Sequence, residues 1–185
     1  YIIAAHQPNA FVAGRDSSHA AIAVTDGLLK TLTRAEVSAV VAHELAHVKR
    51  GDALAMGVCA SIAAMISAVL GLLAWPVGQR ANVNRLVSGL IARAGRSHAR
   101  EFEADRAGAE ICGSPVHLAN ALLKLERHTL SMLNPVAERN PAMALMFVVD
   151  PLQADRRRPS ATHPPTERRI ARLHRQAAEM ERDEG

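Results

Sequence analysis

The pattern His43-Glu44-Leu45-Ala46-His47 constrains this chain more than any other feature. Residues four apart lie one turn apart on the same face of a helix, so the two histidines can hold one metal ion between them. Glu44 lies about 100° around the helix from His43, beside such an ion rather than on it. A general base stands there to take a proton from a water that the metal activates, so the pattern predicts a hydrolytic zinc site.

The residues around this pattern favour a metal site over a solvated surface helix. Most of the flanking residues are apolar, so the polar residues between them need a reason to be there. The apolar residues are Val37, Val40, Val41, Leu45 and Val48. Thr33 with Glu36 predicts a capping box at the start of the helix, and Gly51 predicts its end.

Two histidines leave the coordination of a catalytic zinc incomplete, because such a zinc usually takes three protein ligands. A metzincin-type continuation fails, since Arg50 and Ala53 stand where glycine and histidine are needed. An upstream cysteine ligand is absent, because the cysteines are Cys59 and Cys112. A carboxylate on a second helix remains, and the best candidate segment is 97–113.

Glu101 and Asp105 share one helix face in that segment, whereas Glu103 points about 200° away. Glu101 can ligate the metal while Asp105 accepts a hydrogen bond from a ligand histidine and fixes its orientation. The alternative is a solvated charged face, which the segment taken alone favours. Only its combination with the histidine pattern favours the metal site.

Four sequence blocks, in order, resemble the HtpX-type membrane zinc metalloproteases, which are gluzincins related to the CAAX prenyl endopeptidases. The blocks are PNAFVAG at 8–14, HELAH at 43–47, EFEAD at 101–105 and THPPTERRI at 162–170, and AAIAVTDGLL at 20–29 also fits. The resemblance implies that His43, His47 and Glu101 bind Zn²⁺, that Glu44 is the catalytic base and that Asp105 supports a ligand histidine without binding the metal itself.

The last block carries two further candidates, His163 and Arg169. His163 precedes two prolines and lies on a stiff, extended segment. The resemblance implies that this segment lies close to the metal. His163 would then stabilise the oxyanion of the tetrahedral intermediate or occupy the open zinc position, and Arg169 would bind a carbonyl or a carboxylate. The structural alternatives are a packed loop and a surface arginine.

Two short segments before the metal-binding helix predict a small sheet. Residues 9–14 can pair with residues 20–25, and Asp26-Gly27 then forms a turn signal. Such a sheet can offer an edge to a polypeptide substrate in extended form, which binds as an added strand. The alternative is that the strands only cover the core, and the resemblance favours substrate binding.

The chain of 185 residues is long enough for one domain with a real core. We predict an α+β, mainly helical, zincin-like metalloprotease domain over 1–185, with a small N-terminal β-sheet and an active-site HEXXH helix. The loop predicted at 150–165 is rich in proline and arginine. Its Arg156–Arg158 run has no aromatic interleaving, so we predict no nucleic-acid partner, and a solvated loop or a lipid contact is favoured.

The segment 53–79 is apolar and uncharged, and about 20 such residues can span a bilayer. His47 and Glu101 must meet at one metal, so the chain either returns across the membrane or never crosses it. Residues 82–95 have the spacing of an amphipathic helix, which spans poorly. Three structures of this segment remain possible: a membrane hairpin with a marginal second arm, an interfacial or re-entrant segment, and a buried helix of a soluble domain. We favour membrane contact.

The chain does not begin with Met, and we expect a fragment whose N-terminal membrane helices are missing. We predict a zinc metalloendopeptidase that acts on membrane or misfolded proteins in stress response and quality control. We expect it at the inner (plasma) membrane, facing the cytoplasm. One alternative is a membrane adaptor or chaperone with a structural zinc, against which intact Glu44 argues. The other is a basic module that binds membrane or nucleic acid through Arg156–Arg158.

Overall fold

The computed structural model describes residues 1–52, 98–131, 147–151 and 163–183, together with isolated positions between 54 and 69. The predicted amphipathic helix at 82–95 lies outside these residues. Most of the apolar segment 53–79 and of the loop 150–165 lies outside them as well.

The chain begins with a three-stranded sheet in the order β1-β3-β2. The strands are β1 (Ile2–Ile3), β2 (Ala10–Asp16) and β3 (His19–Thr25). β2 runs antiparallel to β3 with Ala10 opposite Val24, and β1 runs parallel to β3. The predicted pairing of 9–14 with 20–25 is therefore confirmed, while β1 had no signal in the sequence analysis.

A short helix, α1 (Asp26–Thr31), follows β3 directly. The prediction of a simple turn at Asp26-Gly27 is therefore wrong. The Thr25 hydroxyl accepts a hydrogen bond from the Leu28 N–H at 3.1 Å and caps the helix. Leu28 is fully buried, so the packing of this apolar side chain stabilises a helix at the position where the sequence indicated only a turn.

The helix α2 (Arg34–Arg50) carries the HELAH pattern, and its ends are as predicted. The Thr33 N–H donates to Glu36 Oε2 at 2.8 Å, and the Glu36 N–H donates to Thr33 Oγ1 at 3.4 Å, which together form a capping box. Gly51 ends the helix with φ 74°, a left-handed conformation that favours glycine.

Three further helices pack around α2: α3 (His98–Cys112), α4 (Pro115–Ser131) and α5 (Thr166–Asp183). α3 lies along α2, and α4 packs against both α2 and α5. The buried core includes Val40, Leu118, Leu122, Leu125 and Leu173. The architecture is therefore mainly helical α+β with a small N-terminal sheet, as predicted.

The described residues between 52 and 69 are helical. Within the ranges that the structure describes, no helix has both the length and the apolar character needed to cross a membrane.

Candidate metal centre

The packing of α3 against α2 brings Glu101 to the two histidines of the HELAH pattern. His43, His47 and Glu101 are only 1%, 2% and 1% exposed. Each offers one ligand atom, and these atoms all lie within 4.8 Å of one another. His43 Nε2 lies 3.9 Å from Glu101 Oε2, and His47 Nε2 lies 3.6 Å from Glu101 Oε1. The three residues form a buried group that can hold a metal ion.

The separations within this group are somewhat wider than those between the ligand atoms of a bound zinc ion. Zinc bonds of about 2.0–2.1 Å in tetrahedral geometry place neighbouring ligand atoms about 3.3–3.5 Å apart. The observed distances of 3.6 and 3.9 Å are slightly larger than that and too long for direct hydrogen bonds. The group therefore fits a single ion held between the side chains.

The buried charge of the site also fits a divalent cation. Glu44, Glu101 and Asp105 are buried carboxylates, and Arg169 is the buried guanidinium that pairs with two of them. With all three carboxylates ionised and the histidines neutral, this described set carries a net charge of −2, because three negative charges face one positive charge. A buried charge needs compensation, and a 2+ ion would neutralise the set.

The close approach of α3 to α2 depends on Gly108. A Cβ atom at this position would lie 2.7 Å from His43 Cα and 2.8 Å from His43 N. Only glycine lets the backbones approach this closely. This contact positions α3 so that Glu101, two turns earlier, reaches both histidines.

Asp105 lies behind His43, on the side away from Glu101. Its Oδ1 is 3.1 Å from His43 Nδ1, so the ring presents Nε2 to the metal group. Burial alone would raise the pKa of Asp105, but the adjacent Arg169 guanidinium and His43 together hold it well below its usual range. Asp105 is therefore ionised, and the solvated alternative is wrong for both Asp105 and Glu101.

Arg169 on α5 binds this carboxylate through two nitrogens. Its Nε donates to Asp105 Oδ2 at 2.8 Å, its Nη2 donates to Asp105 Oδ1 at 2.7 Å, and its Nη1 donates to the Val148 carbonyl at 2.6 Å. Nη1 also lies 3.8 Å from Glu101 Oε2. Burial lowers the pKa of Arg169, but Asp105, Glu101 and Glu44 raise it by more.

The alternative of a surface arginine is wrong, because Arg169 is 1% exposed. The carboxylate that it binds in this structure is that of Asp105. Its contact with a substrate carbonyl stays a prediction.

Glu44 is buried and directly follows His43 in the chain. Its charge contributes to the raised pKa of Arg169, so the two side chains lie in the same electrostatic environment. This location suits a base beside the metal, and the catalytic role of Glu44 stays a prediction.

His163 is buried and bound to the loop at 147–151. Its Nε2 lies 2.7 Å from the Phe147 carbonyl oxygen. Because a carbonyl only accepts, Nε2 carries the proton and donates. The metal group found among the described residues does not include His163. Its predicted action on the oxyanion or on the open zinc position stays a prediction.

Asp52 is a member of the site that the sequence analysis missed. Its Oδ2 lies 3.4 Å from His47 Nδ1, on the side of the ring away from Glu101. The available signal was the position of Asp52, the first carboxylate after HELAH and directly beyond the helix stop at Gly51.

The solvated charged face expected for α3 exists, but on its other side. Arg106 Nη1 contacts Glu110 Oε1 at 2.7 Å and its Nη2 contacts Glu103 Oε2 at 3.4 Å, and all three side chains are exposed. The helix thus separates a structural charged surface from the buried carboxylates of the site.

The model of peptidase family M48 matches residues 1–177 of this chain. The chain belongs to peptidase family M48. Its architecture is accordingly that of a zincin-like metalloprotease domain, and the prediction of a metalloprotease is confirmed at this level. Family M48 membership does not favour the adaptor alternative, whereas the narrower HtpX-type resemblance stays a prediction. No solved structure gives a significant match to the chain.

Proposed function

We propose that this M48 chain is a zinc-dependent endopeptidase with Glu44 as its general base. The observation that carries the proposal is the buried group of His43, His47 and Glu101, together with the burial of Glu44 on the same helix between the two histidines. Imidazole and carboxylate ligands at these separations suit Zn²⁺. Three protein ligands leave a fourth position for a reacting water or carbonyl, as in catalytic rather than structural zinc sites.

In this proposal the residues of the chain divide the chemistry between them. Zinc, when bound, supplies Lewis acidity that makes a water more acidic and a scissile carbonyl more electrophilic. Glu44 takes the proton of the attacking water and later delivers it to the leaving amine. Asp105, held by Arg169, keeps the His43 ring oriented throughout.

We propose that the polypeptide substrate binds in extended form along β2. In the described sheet, β2 is an edge strand, so one side of its backbone is not paired within the sheet. Val12 of β2 and Val48 of α2 share a small buried cluster. This contact places the strand beside the end of α2 that carries His47. Main-chain hydrogen bonds to an edge strand give affinity with little demand on side chains, which suits a protease of misfolded chains.

We also propose that the chain contacts the membrane from the cytoplasmic side, in agreement with its HtpX-type resemblance. Supporting this, five large apolar side chains in the described helical positions after α2 are exposed: Leu54, Val58, Ile62, Met65 and Val69. Their spacing of three or four residues places them on one face. Lipid is a chemically suitable partner for such a face, and quality control of membrane proteins is the matching role.

Replacement of Glu44 by glutamine tests the proposed activity. Glu44→Gln keeps the size of the side chain but cannot accept the water proton, so casein cleavage should fall at least ~100-fold. Zinc content, measured by elemental analysis, should stay at the level of the unaltered chain. Glu110→Gln, a change on the exposed face of α3, is the matched control and should retain both zinc and cleavage.

Cleavage that survives Glu44→Gln would exclude Glu44 as the base. An unaltered chain that binds zinc but never cleaves casein or other unfolded polypeptides would contradict the proposed endopeptidase. Failure to bind zinc would remove the assignment of the metal.

A further inference from the structure

We propose that Asp52 is a positioning residue of the metal centre and acts through His47. This inference rests on one part of the proposed function, the binding of zinc, and does not require peptide cleavage. Asp52 does not belong to the ligand group, and it lies outside both sequence motifs that supply the ligands. It follows the end of α2 and turns back towards the ring of His47.

The contact of Asp52 determines how the His47 ring is presented. Asp52 Oδ2 lies 3.4 Å from His47 Nδ1, while His47 Nε2 faces Glu101 Oε1 at 3.6 Å. An ionised carboxylate only accepts, so Nδ1 carries the proton and Nε2 keeps its lone pair. Asp52 therefore selects the tautomer and the orientation that a metal ligand needs.

The Asp52 carboxylate is itself held in place. Arg50 Nε donates to Oδ2 at 3.3 Å, and Arg100 Nη1 lies 3.9 Å from Oδ1. Asp52 is buried, whereas both arginine side chains are about one-third exposed. The two arginines thus hold the Asp52 carboxylate at the edge of the site and offset its charge, which would otherwise add to that of the buried carboxylates of the site.

Asp52 does for His47 what Asp105 does for His43. Each histidine has a carboxylate near Nδ1, at 3.4 Å for His47 and 3.1 Å for His43. Each carboxylate also contacts arginine. Loss of one support leaves one ligand ring free to turn, so metal binding must then order it. Loss of such a partner typically weakens metal affinity about 10–100-fold.

The test compares zinc affinities of the full chain by competition with a chromophoric chelator. Asp52→Ala should weaken zinc binding about 10–100-fold. The matched control is Glu103→Ala, because Glu103 Oε2 contacts the same Arg50, at 3.7 Å, but is not near the ligand group. Glu103→Ala should leave the zinc affinity within about twofold of the unaltered chain.

A second variant, Asp52→Asn, covers the case in which Asp52→Ala fails to fold. Asparagine keeps an oxygen acceptor for Nδ1 but loses the charge, so its zinc affinity should lie between those of the alanine variant and the unaltered chain. The visible spectrum of the Co²⁺-substituted protein reports ligand geometry directly. It should change for Asp52→Ala, move part of the way back for Asp52→Asn and remain unchanged for Glu103→Ala.

The outcomes separate this inference from the proposed function. Zinc affinity and cobalt spectrum that stay unchanged in both Asp52 variants, with zinc bound tightly by the unaltered chain, would overturn the role of Asp52 alone. Equal weakening by Glu103→Ala would also overturn it, because the effect would then come from general surface charge. An unaltered chain that binds no zinc would overturn the proposed function, and the inference with it.

Discussion

At the level of single residues, the main feature of the site is that several charged side chains are buried together. Arg169 is the buried cation that faces Asp105 and Glu101, and its guanidinium makes two hydrogen bonds to Asp105. A buried ion pair is weak evidence for net stability, but removal of one partner leaves an uncompensated charge. Arg169 therefore links α5 to Asp105, the carboxylate behind His43, through charge rather than through apolar packing.

Replacement of Arg169 by methionine should strongly destabilise the protein. Asp105 would be left buried without its main cation, and breaking a buried pair in this way costs about 3–5 kcal/mol. Denaturant unfolding of the metal-free protein measures the loss. The control is Arg172→Met on the same helix, where the exposed guanidinium lies 3.8 Å from the Phe102 ring and contributes only about 0.5–1 kcal/mol. Equal losses in the two variants would contradict the special role of Arg169.

At the scale of elements, the pairing of α2 with α3 creates the site. α2 supplies both histidines and α3 supplies Glu101 and Asp105, so the distance between the two helices determines whether the ligand group exists. Gly108 marks the closest approach, because a side chain there would meet the backbone of His43. The glycine is thus needed for interhelical distance rather than for backbone conformation.

Gly108→Ala should separate α3 from α2 and weaken the metal site. The added methyl group must displace backbone atoms, and overpacking of this kind costs about 1–3 kcal/mol. Zinc affinity should fall together with the free energy of unfolding. Gly57→Ala is the matched control, because Gly57 is helical and no described atom lies within 4 Å of an added Cβ. That control should be neutral or slightly stabilising, since alanine is the better helix former. Unchanged zinc affinity in Gly108→Ala would exclude this account of the spacing.

At the scale of the whole molecule, several ion pairs join elements that are distant in the chain. Glu36 of α2 accepts from Lys124 of α4, Asp52 contacts Arg100 of α3, and Asp105 of α3 binds Arg169 of α5. For each of these carboxylates, burial raises the pKa, but neighbouring groups lower it by more, so that the net pKa lies below its ordinary value. The groups that lower it most are Lys124 and Thr33 for Glu36, His47 for Asp52 and Arg169 for Asp105.

These lowered pKa values predict that the fold is acid-labile. The stabilisation that they supply is complete above the unfolded-state pKa, which is about 4 for carboxyl groups, and is lost as the pH falls through the folded values. Thermal unfolding of the metal-free protein, with a chelator present, should show a midpoint that falls as the pH drops from about 5 towards 3. Lys124→Met should reduce this pH dependence, because Glu36 loses its partner. A midpoint that does not change over this range would contradict the prediction.

The local features of this fold were readable from the sequence. The capping box of Thr33 with Glu36, the helix stop at Gly51 and the histidine spacing depend on residues within one or two turns of each other. The strand pairing of 9–14 with 20–25 depends on neighbouring segments in the same way. The error at Asp26-Gly27 has the opposite cause, because burial of Leu28 converts a local turn signal into a helix.

The spacing of the two histidines was enough to predict the metal-binding helix, because side chains four residues apart on a helix meet whatever the rest of the chain does. The packing of the helices was needed to show that Glu101 and Asp105 are buried against that helix while Glu103 faces solvent, because the choice of face depends on the approach of two backbones at Gly108. It alone also brought Asp52 to His47 and Arg169 to Asp105. Such contacts depend on the positions of helix ends and of distant helices in space. The spacing of residues along the sequence does not specify these positions.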